Sequence, residues 1–250
     1  MEETRPKRLR RAHINAIHGR LEVARQVFNE FKATYPHNAV LPKLTELYTL
    51  PECKALVLDH ADDVILSVQD FKHIALQLPQ FCEEWRMSAE LELLRLMRPT
   101  NNILSTVHNR HQLELATTYF ECRECEDPIA YPRILVHHCI TSALDIELMS
   151  SPSDTDDDTT VMMKSRLLSN FRPWRLGMRV LTYGDKFPKA VRCILVACSL
   201  NPDTTTSQDM DGHDFRFECE NCSSRTEGAL LMSWRMAVRC RGHVFSLADS

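Results

Sequence analysis

Glycine is scarce in this chain, with six residues in 250, and none of the six stands in a loop that could cradle a phosphate. The common nucleotide-binding architectures are therefore excluded. Long apolar runs are missing too, since the longest uncharged apolar run, Ile194 to Leu200, falls far short of the ~20 residues that span a bilayer. No membrane partner is expected. Positive charge is not in excess either: the formal net charge of −4 argues against a surface built throughout to hold nucleic-acid phosphates. The first residues include Arg5, Lys7, Arg8, Arg10 and Arg11 without the apolar stretch of a secretory signal. The expectation is an intracellular protein, in nucleus or cytoplasm, with reduced thiols. With 44% apolar and 26% charged residues the composition is that of a globular protein able to build a core.

What is present begins with helices. Ile14, Ile17, Leu21, Ala24, Phe28, Phe31 and Tyr35 alternate in steps of three and four, the stripe of an amphipathic helix over Arg11 to Tyr35 that Pro36 ends. Short helical pieces over Lys43 to Tyr48 and Glu52 to Leu58 follow Pro42 and Pro51, and Val64 to Leu66 reads as a short strand. Ser67 and Asp70 form a capping-box pattern for a helix over Phe71 to Leu78 stopped by Pro79, after which Phe81 to Met97 is helical. Pro188 opens a helix through Leu200. The run SPSDTDDDTT from Ser151 has four aspartates and no large apolar side chain, the composition of a disordered acidic linker. Asp209, Asp211 and Asp214 superficially suggest a calcium loop, but Gly212 falls at the fourth place rather than the sixth, so this segment reads as a turn.

The ten cysteines carry the chemistry. Cys53, Cys82, Cys193 and Cys198 sit singly in apolar helical patterns and read as core fillers. Cys122-x2-Cys125 and Cys219-x2-Cys222 differ, because that gap on a tight turn lets two thiolates face one tetrahedral ion about 2.3 Å away. Both follow the same tripeptide, Phe120-Glu121-Cys122 and Phe217-Glu218-Cys219, a weak internal duplication. The downstream knuckle is completed by Cys240 and His243, three apart on a helix expected over Ser233 to His243 behind a strand at Ala229 to Met232. The upstream knuckle has His137, His138 and Cys139 to draw on. One to two structural zinc ions are expected. Two arrangements are open at this point: a separate ion at each knuckle, or one ribbon-like ion shared by Cys122, Cys125, Cys219 and Cys222.

A catalytic zinc needs an open position and a carboxylate proton shuttle, and neither a His-x-Glu with Pro-Cys-x-x-Cys nor a His-Glu-x-x-His occurs. No nucleophile, base and acid form a set, so no enzyme is expected. From Gly212 to His243 there are five arginines against four acids, and from Tyr119 to Asp145 two against five, which does not supply a row of phosphate contacts, and nucleic acid is the second choice of partner after protein.

The segments FECRECEDPIAYPRILVHHC, ILVACSLNPDTTTSQDMD, FRFECENC and MSWRMAVRC, with RLEVARQVFNEFKATYPHNAVLPKLTELYTLPECKAL upstream, span most of the chain. In this order they resemble a group of uncharacterised F-box-like proteins of basidiomycete fungi. The resemblance implies zinc ligation by Cys122, Cys125, Cys219 and Cys222 and by His137 or His138. Those relatives carry Trp-Arg-x-Ala-x-x-His where this chain ends the pattern on Cys240, an exchange of one zinc ligand for another. It also implies an adaptor of a ubiquitin ligase. An F-box opens with Leu-Pro, found here at Leu41-Pro42, but Pro51 breaks the helical run that should follow, so the F-box itself is not evident.

The expected fold is mostly α, an irregular helical body with small β-hairpins at the zinc knuckles. Its linear organisation would be a basic tail (1–10), a helical domain with the first knuckle (11–150), the acidic linker (151–163) and a helical region with a zinc-finger-like module (164–250). The expected function is a zinc-stabilised protein-interaction module or adaptor, with a nucleic-acid-binding zinc finger as the alternative.

Overall fold

The computed structural model describes residues 5–97, 110–141, 174, 178–184, 186–219, 223, 230–240 and 245–247. The acidic segment 151–163 lies outside them. Among the described residues the chain is mostly helical with two small three-stranded antiparallel sheets, as expected. It divides into two compact units, one from Met1–Ser88 and Ile140–Met178, the other from Ala89–Cys139 and Arg179–Ser250.

In the first unit, α1 (Arg5–Lys32) buries Ile17, Leu21, Ala24, Val27 and Phe28. They pack with Leu47 of α2 (Leu44–Leu47) and with Cys53 and Val57 of α3 (Pro51–Leu58). The helix begins at Arg5, so Arg5 to Arg10, expected as a tail, form its first turns. Lysine and arginine are good helix formers, and exposed turns need no apolar stripe. Arg20 interrupts the stripe yet is only 2% exposed. Its Nη1 donates to the carbonyls of Val57 (3.2 Å) and His60 (3.0 Å), and its Nη2 to those of Val64 (3.3 Å) and Ala61.

That guanidinium explains a second correction. Val64 to Leu66 is not a strand: Ile65 is exposed, and the Val64 carbonyl is satisfied by Arg20 rather than by a neighbouring strand. The Ser67–Asp70 capping box forms, with the Ser67 N–H donating to Asp70 Oδ2 at 2.7 Å. It starts a 3-10 turn, Val68–Phe71, that runs straight into α4 (Lys72–Leu96). Pro79 lies inside α4 and does not stop it. The missing N–H and ring clash cost about 3 kcal/mol. Buried Ile74, Leu78 and Cys82 flank the proline, and burying an aliphatic side chain returns ~1.5–3 kcal/mol.

The second unit is assembled around two short central strands. After α5 (His111–Glu114), β1 (Tyr119–Cys122) pairs on one edge with β2 (Pro128–Ala130) and on the other with β3 (Leu181–Tyr183). Between them lie a 3-10 turn, Arg133–Val136, and α6 (His138–Thr141). Next come α7 (Lys186–Ala197) and α8 (Ser207–Gly212). The second sheet places β4 (Arg216–Cys219) between β5 (Leu231–Ser233) and β6 (Phe245–Leu247), with α9 (Trp234–Arg239) directly behind β5. Phe187, Val191, Ile194 and Leu195 of α7 share a core with Phe217, Trp234, Ala237 and Val238.

The linear division at the acidic segment does not follow this grouping, because β1 takes its second partner from Leu181–Tyr183 and so joins the first knuckle to the C-terminal residues. Residues 207–212 form a helical turn and a half instead of a plain turn. A capping box explains it: Thr206 N–H donates to Asp209 Oδ2 (2.8 Å) and Asp209 N–H to Thr206 Oγ1 (3.0 Å). Cys53 and Cys82 are buried as expected of core fillers, whereas Cys193 is exposed, on the face of α7 opposite Val191, Ile194 and Leu195. Among the described residues no helix is long and apolar enough to cross a membrane.

Candidate metal centre

Cys122 ends β1, the central strand of its sheet, and is fully buried. The chain then turns back at once. Glu126 N–H donates to the Cys122 carbonyl at 2.7 Å and Cys122 N–H to the Asp127 carbonyl at 3.3 Å, closing a loop that carries Cys125. Glu126 adopts φ 56°, the left-handed conformation that non-glycine residues visit rarely. β2 leaves the knuckle and leads into the 3-10 turn, whose C-cap is His137, with extended φ −61° and ψ 130°. Tyr131, just before that turn, is anchored by its O–H to buried Glu90 (2.6 Å), while Arg110 Nη2 donates to the Tyr131 oxygen (3.1 Å).

The result is a group of four, Cys122, Cys125, His137 and Cys139, whose ligand atoms all lie within 4.8 Å of one another. Cys125 Sγ is 3.4 Å from His137 Nε2. Thiolates on a tetrahedral ion at about 2.3 Å stand roughly 3.8 Å apart, so this donor set can hold a metal ion without rearrangement of the backbone. His138 is left outside the four. Its Nε2 lies 3.1 Å from Cys139 Sγ and its ring 4.7 Å edge-on from that of His137. The centre is thus drawn from four local pieces: the end of β1, the knuckle loop, the turn cap and the start of α6.

Burial sets the electrostatics of the group. Burial first, and then neighbouring Cys122, push the Cys139 thiol up to about 12. Burial likewise raises Cys125. His137 is held below the usual histidine value, first by burial and then by the nearby His138 ring, which favours the neutral imidazole that a metal binds. A divalent ion held by these residues would favour the thiolates instead, since coordination deprotonates cysteine.

At the second knuckle the described residues bring Cys219 and Cys240 together, Sγ to Sγ 3.4 Å. Cys222 and His243 lie outside the described residues. Cys219 therefore faces Cys240, while Cys122 and Cys125 gather with His137 and Cys139. Cys240 is not on a helix face, as the spacing to His243 suggested. α9 ends at Arg239 and Cys240 is its C-cap, its N–H donating to the carbonyls of Met236 and Ala237 at 3.0 and 3.1 Å.

Sequence reasoning missed Asp211, which holds α9 in place. Its Oδ1 accepts from Trp234 Nε1 (2.9 Å) and Arg235 Nε (2.9 Å), and its Oδ2 from Arg235 Nη2 (2.8 Å). The Arg235 guanidinium lies 4.4 Å over the Trp234 ring, and Trp234 meets Tyr119 edge-on at 6.4 Å. Arg235 holds the Asp211 carboxyl below the usual carboxylate range. The Trp-Arg pair was visible in the sequence, but its acidic partner was hidden in an apparent turn.

No family model, curated protein or solved structure matches the chain.

Proposed function

We propose that this chain is a zinc-stabilised protein-interaction module. The observation that carries the reading is the group Cys122, Cys125, His137 and Cys139, three sulfurs and one nitrogen within 4.8 Å. Such a soft donor set suits zinc over calcium or magnesium, which prefer oxygen. Four protein ligands leave no open position for water, so the metal is assigned a structural role and no catalysis. None of the described cysteines forms a disulfide, which leaves their sulfurs able to ligate a metal. The resemblance to F-box-like proteins makes the interaction that of an adaptor, joining a bound protein to a ubiquitin-ligase scaffold.

The test has two parts. Protein purified without chelator is expected to contain zinc, which is lost together with the second unit's near-ultraviolet circular dichroism on chelation. Binding is then measured against the scaffold's linker subunit and against DNA and RNA duplexes at physiological salt. A stable complex with the linker subunit supports the adaptor role, and its absence removes that role. Salt-resistant nucleic-acid binding would instead make the chain a nucleic-acid-binding zinc finger. Metal-free protein that melts cooperatively would overturn the zinc reading itself.

A further inference from the structure

The two small sheets repeat each other residue for residue. Each has a central strand with an antiparallel neighbour on either side, in the orders β2-β1-β3 and β5-β4-β6. Phe120 pairs with Ile129 and Tyr183, and Phe217 with Met232 and Leu247. Cys122 stands opposite Leu181 and Cys219 opposite Phe245, so both cysteines occupy the same register position at the end of the central strand. Both are fully buried.

The turn after each cysteine closes in the same way. Glu126 N–H donates to the Cys122 carbonyl at 2.7 Å, and Ser223 N–H to the Cys219 carbonyl at 2.8 Å. The outgoing strand leads in each case to a short helical segment, Arg133–Val136 or Trp234–Arg239. The C-cap of the first is His137 (φ −61°, ψ 130°) and that of the second is Cys240 (φ −68°, ψ 122°). A metal-ligating residue type thus stands at the same cap, in the same conformation, in both copies. In the second copy the cap sulfur lies 3.4 Å from the strand-end sulfur.

We propose that Cys219 and Cys240 belong to a second thiolate metal centre, so that the chain holds two zinc-class ions, one at the end of each central strand. Sequence correspondence supplies the remaining ligands: Cys222 matches Cys125 in the C-x2-C, and His243 follows Cys240 much as Cys139 follows His137. In sequence the ligand types are exchanged between copies, Cys-x2-Cys with His-x-Cys in the first and with Cys-x2-His in the second, and each set has the Cys3His composition common in structural zinc sites. The proposal rests on reading the first group as a metal centre, since the correspondence is drawn from it. A single ion shared by the four knuckle cysteines does not fit a Cys219 that faces Cys240.

The experiment is a metal count on the full chain, with cobalt(II) titration of the metal-free protein as an independent reading. Zinc-loaded protein should carry two equivalents, and the sulfur-to-cobalt charge-transfer band should saturate at two. Cys240→Ser should leave one ion and Cys139→Ser the other. Cys240→His, which substitutes one zinc ligand for another, should keep both, with a weaker charge-transfer band from the loss of one thiolate. Exposed Cys193→Ser should change nothing.

Saturation at one equivalent, abolished by Cys139→Ser and untouched by Cys240→Ser, would overturn the second centre and leave the first standing. No bound metal at all would overturn both. A metal-free Cys219–Cys240 disulfide, seen as a mass lighter by the two hydrogens lost, would overturn the second alone. If Cys240→Ser is insoluble, the titration of the unmodified chain still separates one ion from two.

Discussion

In the unit containing Met1–Ser88 the largest buried apolar side chains, Phe28, Phe71, Leu47, Ile74 and Leu78, form one cluster around helices as long as α1 and α4. In the other, the sheet strands are three or four residues long and cysteines stand where their central strands end. Sheets this small cannot bury enough apolar surface on their own. The first unit closes its loops with a guanidinium that reaches backbone carbonyls, while the second places ligand atoms at the corresponding loop ends. A metal ion held there, as proposed above, would tie together loops of a kind that the first unit secures with hydrogen bonds, and this asymmetry can be broken experimentally.

Metal removal should break it most widely. An unfolded chain has no preformed site, so binding free energy becomes folding free energy, about 10 kcal/mol or more in small zinc modules. Since whole domains are stable by only ~5–15 kcal/mol, chelation should abolish protection of β1 to β6 in hydrogen exchange while α1 and α3 keep theirs. Loss of protection in α1 to the same degree would erase the contrast between the units.

Arg20→Met is the reciprocal lesion. Methionine keeps the length of the stem but strands the carbonyls of Val57, His60, Ala61 and Val64, a loss of about 3 kcal/mol by the usual cost of removing charged hydrogen bonds from a buried site. Chemical denaturation should show the loss, and the metal content should not change.

Asp211→Asn acts within the second unit and is smaller, about 1 kcal/mol at neutral pH, because the pair with Arg235 is partly exposed. Arg235 lowers the carboxyl of Asp211 in the folded state, so its stabilisation is present above the ordinary carboxylate value and disappears as pH falls through the lowered one. The unmodified chain and the variant should therefore converge in stability in acid, once the pH has fallen below the lowered value of the Asp211 carboxyl. A constant gap across that range would show that Asp211 acts by hydrogen-bond geometry alone.

Glu126→Gly should have the least effect, a gain of up to about 1 kcal/mol from relieving the left-handed φ of 56°. It should leave metal stoichiometry untouched. Thermal melting is sensitive enough to read it.

These lesions separate what periodicity and spacing reveal from what they conceal. The stripe through Ile17, Leu21, Ala24 and Phe28 announced α1, because a helix needs only local contacts to declare its face. Arg20 was concealed on that same stripe, since its partners are carbonyls, which every sequence has everywhere. Pro79 looked like a stop because the buried residues on both sides that hold α4 together are tertiary facts. At the first knuckle the local order Cys122, Cys125, His137, His138, Cys139 named every member of the group, and only the turn geometry chose His137 and Cys139 over His138. The link from β1 to β3 was invisible, because three extended residues carry no mark of a partner so far along the chain.

That distant pairing has a consequence during synthesis. Cys122 and Leu181 are opposite each other in the sheet but 59 positions apart in the chain, as 181 minus 122 shows. At ribosomal rates of about 5–20 residues per second, the knuckle thiols emerge roughly 3–12 s before the strand that completes their sheet is made. The second sheet waits far less, since Phe245 follows Cys219 by 26 positions, 245 minus 219. For those seconds the nascent chain carries all four residues of the first group beside a half-built sheet, its thiols open to oxidants and to competing metals, and early capture of an ion is what would protect them.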